Sequence, residues 1–99
     1  MPDQTLRVVA RIIARPGKVK ELRAVLHGLV EPTRKEPGCV TYELLQNKAE
    51  PTDFTFVEEW SSEADLDAHL QSPHLRNARL RLPDLAAADP DIRRYTVVG

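Results

Sequence analysis

From Thr5 to Arg15, apolar residues recur at every second position: Leu6, Val8, Ala10, Ile12 and Ala14 fall on one face. Arg7, Val9, Arg11, Ile13 and Arg15 fall on the other. A period of two is that of a β-strand, so the segment predicts a strand with one wholly apolar face and one mixed face. Pro16 and Gly17 punctuate it. From Lys18 to about Arg34 the period changes, and Val19, Leu22, Leu26, Leu29, Val30 and Thr33 follow helical spacing. Lys20, Glu21 and Arg34 are left for solvent, and Pro37-Gly38 ends the segment.

A second strand is predicted over Cys39–Gln46, with Val40, Tyr42 and Leu44 alternating against Thr41 and Glu43. The polar stretch 47–53 reads as a hairpin-type loop. A third strand, Phe54 to Trp60, puts Phe54, Phe56, Glu58 and Trp60 on one face. Ser62 followed by Asp65 is a capping-box pattern that opens a second helix through Leu66, His69 and Leu70. Ser72-Pro73 interrupts that helix. Because proline is tolerated in a first helical turn, His74 to about Leu82 is expected to be a further helical piece. Pro83 and Pro90 should bracket a loop, and Ile92 to Val98 alternates as a last strand.

The order β-α-β-β-α-β predicts the split βαβ, ferredoxin-like arrangement: an α+β fold with a four-stranded antiparallel sheet and both helices on one face. The other face carries too many apolar groups to stand in water, so a second sheet is expected to cover it. A chain of 99 residues is read as a single domain, 1–99. A chain this short buries only about 60–65% of its unfolded surface, and a homodimer would add apolar burial.

Composition narrows the partners. Apolar residues make up 41% and charged residues 29%, as in an ordinary globular protein. A net charge of −1, with basic residues scattered, gives no field for nucleic acid or an anionic membrane. A lone cysteine, Cys39, excludes an intramolecular disulfide and fits a reducing, cytoplasmic compartment. Met1 to Gln4 are too short and polar for a signal peptide, and no apolar run approaches the ~18 residues of a membrane span.

Dinucleotide, P-loop, CxxC and HExxH signatures are all absent. The three histidines are His27, His69 and His74, and no acid or cysteine accompanies them at ligand spacing, so no metal site is expected. The densest segment is Phe56-Val57-Glu58-Glu59-Trp60 followed by Leu66, His69-Leu70-Gln71-Ser72-Pro73-His74. A strand ending Glu-x-Trp, a short helix with Leu-x-x-His-Leu, then Ser-Pro-His resembles the antibiotic biosynthesis monooxygenase superfamily. Val8-Val9-Ala10-Arg11-Ile12 before Arg15-Pro16-Gly17-Lys18, and Glu36-Pro37-Gly38-Cys39-Val40-Thr41-Tyr42, agree with it in order. The resemblance covers nearly the whole chain and is nearest to small bacterial quinol monooxygenases.

The resemblance implies a dimeric α+β barrel with a pocket between each sheet and its own helices. It also implies an oxygenase without metal or flavin, whose substrate is an electron-rich phenol, quinol or anthrone that reduces oxygen itself. The protein then needs a base near neutrality, which imidazole supplies. His69 is the candidate, because its i, i+3 relation to Leu66 turns it toward the sheet; the alternative is a hydrogen-bonded core histidine. His74 would gate the pocket mouth or cap the next helical turn. Glu58, on an aromatic face, must be paired, either orienting a histidine or, as preferred here, held by an arginine. Trp60 is read as core and pocket wall at once, its indole N–H available to a substrate oxygen. Tyr42 is a pocket phenol or a sheet-packing group, and Cys39 a small core filler.

The haem-degrading branch is set aside. Its first-strand Asn, second-helix Trp and later His fall here on Ala10, His69 and Arg79, which leaves no axial ligand. The expected activity is oxidation of a quinol, anthrone or polyphenol-like molecule by oxygen. The alternatives are an isomerase or other acid–base enzyme on a small oxygenated metabolite, with or without a phosphate, or a non-catalytic small-molecule-binding dimer.

Overall fold

A computed structural model describes residues 5–99. Met1 to Gln4, the segment weighed above as a signal peptide, lie outside the described residues. The elements run β1 (Leu6–Ile13), α1 (Val19–His27), α2 (Val30–Arg34), β2 (Cys39–Gln46), β3 (Asp53–Trp60), α3 (Glu63–Leu70), α4 (Pro73–Leu85) and β4 (Asp91–Tyr95). The four strands form one antiparallel sheet in the order β2-β3-β1-β4. This is the ferredoxin-like α+β arrangement that the element order predicts.

The predicted apolar face is the inner one. Leu6, Val8, Ala10, Ile12 and Ala14 of the first strand segment are buried, as are Phe54, Phe56, Glu58 and Trp60 of β3. Helices α1 and α3 set Leu22, Leu26 and Leu66 against them, all essentially without solvent contact. Each such side chain contributes about 1.5–3 kcal/mol by leaving water. One face of the sheet is thereby fixed, because a one-residue slip of β3 would exchange Phe54, Phe56 and Trp60 for Thr55, Val57 and Glu59.

Four local expectations are corrected. The helix predicted over 18–34 is two helices, broken at Gly28-Leu29. Pro32 has no N–H to give to the Gly28 carbonyl, and Leu29 N–H bonds instead to the Leu26 carbonyl, three residues back. In β2, Val40 does not face the core. Cys39 pairs with Trp60 and Thr41 with Glu59, so Val40 is the extra residue of a bulge and stands exposed. The bulge brings Cys39 and Tyr42 onto the inner face together, and Cys39 packs on the core as expected.

Pro83 lies inside α4 and does not open the following loop. It sits in the last turn, where its missing donor costs one bond only, and its carbonyl is taken by the Arg15 guanidinium at 2.7 and 3.1 Å. The last strand ends at Tyr95, paired with Arg7. Val97 and Val98, expected in this strand, follow outside it and are exposed.

Candidate active site

The functional side chains are placed by three short pieces of local chemistry. Ser62 caps α3 by accepting the Asp65 N–H at 3.1 Å, and its hydroxyl donates to the Asp65 carboxylate at 3.0 Å. Ser72 caps α4, with Pro73 in its first turn. The break between α3 and α4 turns His69 inward at the end of α3 and leaves His74 half-buried in the first turn of α4. The third piece is the turn before β2, where Gly38 adopts φ +80°, a left-handed conformation that glycine takes without strain. That turn delivers Glu36 to both histidines.

Glu36 Oε2 lies 2.8 Å from His69 Nδ1 and 2.7 Å from His74 Nε2. A carboxylate can only accept, so His69 carries its proton on Nδ1 and keeps a lone pair on Nε2. No described residue bonds that nitrogen. His69 is 3% exposed, packs against Trp60 at 4.8 Å between ring centroids with the planes tilted by 31°, and meets Tyr42 edge-on at 5.6 Å. Burial holds its pKa below the ordinary histidine value, against the opposing pull of Glu36. It is therefore a neutral acceptor at pH 7, the form a general base needs.

His69 opens on a cavity of about 60 Å³ between the inner sheet face and the helices. Val8, Ala10, Phe56 and Tyr42 form its floor, Leu26 and Leu66 its sides, and Leu75, Leu82, Arg79 and Ile92 its outer rim. An apolar cavity of about 150 Å³ takes a benzene ring. A ring therefore enters here only if rim side chains such as Leu75, Leu82 or Ile92 give way. Arg79 is the cation at this rim, and it adds to the depression of the His69 pKa.

Glu58 is 7% exposed and also faces the cavity. Its Oε1 accepts the Trp60 indole N–H at 2.8 Å, and burial raises its pKa to about 7. The arginine partner expected for it is absent among the described residues. Trp60 reaches it because residues two apart on a strand share a face. For the same reason the indole N–H is not free for a substrate, and Trp60 stands behind His69, away from the cavity wall.

Tyr42 lies on the cavity floor, stacked on Phe56 at 4.8 Å, and burial raises its phenol pKa so that it stays a donor. It thus packs on the sheet and borders the cavity at once. The Thr33 hydroxyl is buried beside it without an aligned hydrogen bond. His74 does neither of the things expected of it. Ser72 caps the helix, and His74 is spent on Glu36, outside the cavity lining.

Glu36 is not among the site residues expected from the sequence. It lies in a turn, 33 residues from His69, and no spacing rule connects them. Donor atoms of Glu36, His69 and His74 all lie within 4.8 Å of one another, so ligating groups do come together where none were expected. Two imidazole N–H groups on one carboxylate oxygen account for this cluster with protons alone.

Comparison with known proteins bears on the family and the fold. The family described as antibiotic biosynthesis monooxygenase matches residues 5–80. An uncharacterized protein of Synechocystis is 34% identical over 96% of this chain, which spans 65% of that relative's length. Rv0793 of Mycobacterium tuberculosis, provisionally named a monooxygenase, is 37% identical over 79% of this chain and 76% of its own. The solved structure of Rv0793 superposes with a TM-score of 0.90 and 29% identity, covering 97% of each chain. YgiN of Escherichia coli, provisionally named a quinol monooxygenase, is 35% identical over 72% of this chain and 78% of its own.

Proposed function

The chain belongs to the antibiotic biosynthesis monooxygenase family, and we propose that it is a cofactor-independent monooxygenase acting on a small quinol- or phenol-like ring. The observation that carries this reading is the His69 imidazole, held by Glu36 through Nδ1, with Nε2 unbonded by any described residue and the ring lining a largely apolar cavity. A phenolic hydroxyl placed there loses its proton to His69. The resulting phenolate is electron-rich enough to pass an electron to dioxygen, so the substrate itself is the reductant. Water is kept out by Phe56, Leu66 and Leu75, which lets the anion react before it is quenched. Tyr42 and Glu58 are the donors that hold the ring oxygens, and Arg79 at the rim favours the anion.

The names given to Rv0793 and YgiN support an oxygenase, and the second supports a quinol. The small cavity favours one or two rings over a three-ring anthrone. A homodimer is part of the proposal, supported by the half-buried Val9, Ile13 and Val57 on the outer sheet face. No helix among the described residues is long and apolar enough to cross a membrane. The free thiol of Cys39 supports a cytoplasmic setting.

The test is oxygen uptake by chelator-treated protein offered mono- and bicyclic quinols, with autoxidation subtracted and His69→Gln run in parallel. Uptake above background that is lost in the variant is expected. No uptake across the panel, or uptake unchanged in His69→Gln, overturns the reading.

A further inference from the structure

Two proton carriers face one cavity from different sides of a single indole. Trp60 donates its N–H to Glu58 Oε1 at 2.8 Å and packs its ring on His69 at 4.8 Å. Glu58 thus has one oxygen committed. Its other oxygen makes no hydrogen bond to any described residue, although the side chain is 93% removed from solvent. That oxygen is not fully enclosed by protein, since Thr33 Oγ1 is the buried side-chain atom left without a partner among the described residues. Glu58 borders the cavity that His69 also borders, and a carboxyl so largely removed from water is costly as an anion unless it keeps its proton or meets a ligand.

We propose that Glu58 is a proton donor to a ligand carbonyl oxygen, and that with His69 it catalyses oxygen-independent keto–enol tautomerisation of small cyclic ketones. This rests on the assignment of His69 as base. The carbon–hydrogen bond beside the carbonyl breaks, its proton going to His69 Nε2 and its electron pair forming the carbon–carbon double bond. The carbonyl π pair takes the Glu58 proton and becomes the enol hydroxyl. Reversal returns a proton to carbon from His69 and regenerates the Glu58 acid, so no oxidant or reductant is consumed.

Environment sets the two groups to opposite protonation at neutral pH, which is how an acid and a base are told apart. Burial keeps His69 neutral and Glu58 protonated until about pH 7. The groups that face Glu58 are Cys39 and Tyr42 on β2, Glu36 in the turn before it, Trp60 on its own strand, His69 on α3 and Arg79 on α4. β1 presents only apolar Val8, Ala10 and Ile12.

The experiment is hydrogen–deuterium exchange beside the carbonyl of 2-indanone and of cyclohexanone, followed by mass spectrometry in deuterated buffer without oxygen. The parent protein, Glu58→Gln and His69→Gln are compared. Gln still accepts the Trp60 indole but cannot give up a proton. Enzyme-dependent exchange is expected, reduced about 100-fold in each variant, the scale of one acid–base group. In the parent it should fall on the alkaline side of neutrality as Glu58 ionises, a measurement that stands even if Glu58→Gln fails to fold.

No exchange of either ketone, exchange within threefold of the parent in folded Glu58→Gln, or a rate that keeps rising to pH 9 overturns the inference. Oxygen uptake that depends on His69, without exchange, removes this inference and leaves the oxygenase reading intact. Exchange that needs both residues, without oxygen uptake on any quinol, does the reverse.

Discussion

The Glu36 carboxylate holds the His69 ring from a turn 33 residues away, with Oε2 2.8 Å from Nδ1. The contact fixes the tautomer and raises the proton affinity that burial lowers. Glu36→Gln keeps an acceptor oxygen and removes the charge. It should cut kcat/KM by about 10- to 100-fold, less than the loss of the base itself. Because Glu36 pulls the His69 pKa upward, its removal should move the acid limb of the kcat/KM profile to lower pH. An unshifted limb in the variant would show that another group is the base.

Glu58 ties stability to pH with a sign opposite to that of most carboxylates. Its folded pKa of about 7 stands above the ordinary 4.5, so the folded chain holds a proton that the unfolded chain releases between those values. The contribution of this group is therefore fully present below about pH 4.5 and is lost as pH rises through 7. At about 1.4 kcal/mol per pH unit, the loss is on the order of 3 kcal/mol. Glu58→Gln should raise stability at pH 8 relative to the parent and do much less at pH 5. Urea denaturation at the two pH values reads the difference; an equal effect at both would mean that the carboxyl is not held neutral.

Gly38 supports the site indirectly. A methyl group there would press into the Cβ, Cγ and Oδ2 of Asp65, which takes part in the Ser62 cap, and would force an ordinary residue to φ +80°. The left-handed backbone alone costs roughly 1–2 kcal/mol and a lost cap about 1 more. Gly38→Ala should lower stability by about 2–3 kcal/mol. It should also weaken turnover, since the turn that carries Glu36 must shift. A variant with parental melting temperature and activity would remove this account.

The first and third strands were legible because their inner positions alternate without a gap, and Ser62 declared the start of α3. The shared face of Glu58 and Trp60 was legible too, as a spacing of two. Their mutual hydrogen bond was not, because an arginine partner was equally consistent with the pattern until the rings were placed. Val40 misled for a similar reason: a bulge is a property of two strands, and one strand read alone hides it. Glu36 lay furthest from reach, since only the folded turn brings it to α3 and α4.

The outer face of the sheet supplies the last prediction. Val9 lies opposite Val57 across β1 and β3, and Ile13 lies further along the same face. Arg7 and Glu59 pair at 3.6 Å beside them, and Arg11 holds Asp53 at 3.0 Å. With their arginines open to solvent, such pairs contribute little individually, about 0–1 kcal/mol, but they flank the apolar stripe and would align two copies laid face to face. On the proposed homodimer, Val57→Asp puts an unpaired charge at the centre of that contact. The parent should sediment as a dimer at micromolar concentration. The variant should dissociate to a monomer of lower melting temperature, because a domain this small has little apolar burial to spare. A parent that stays monomeric and folded at that concentration would refute the dimer and leave the cavity, which lies on the opposite face, to be judged alone.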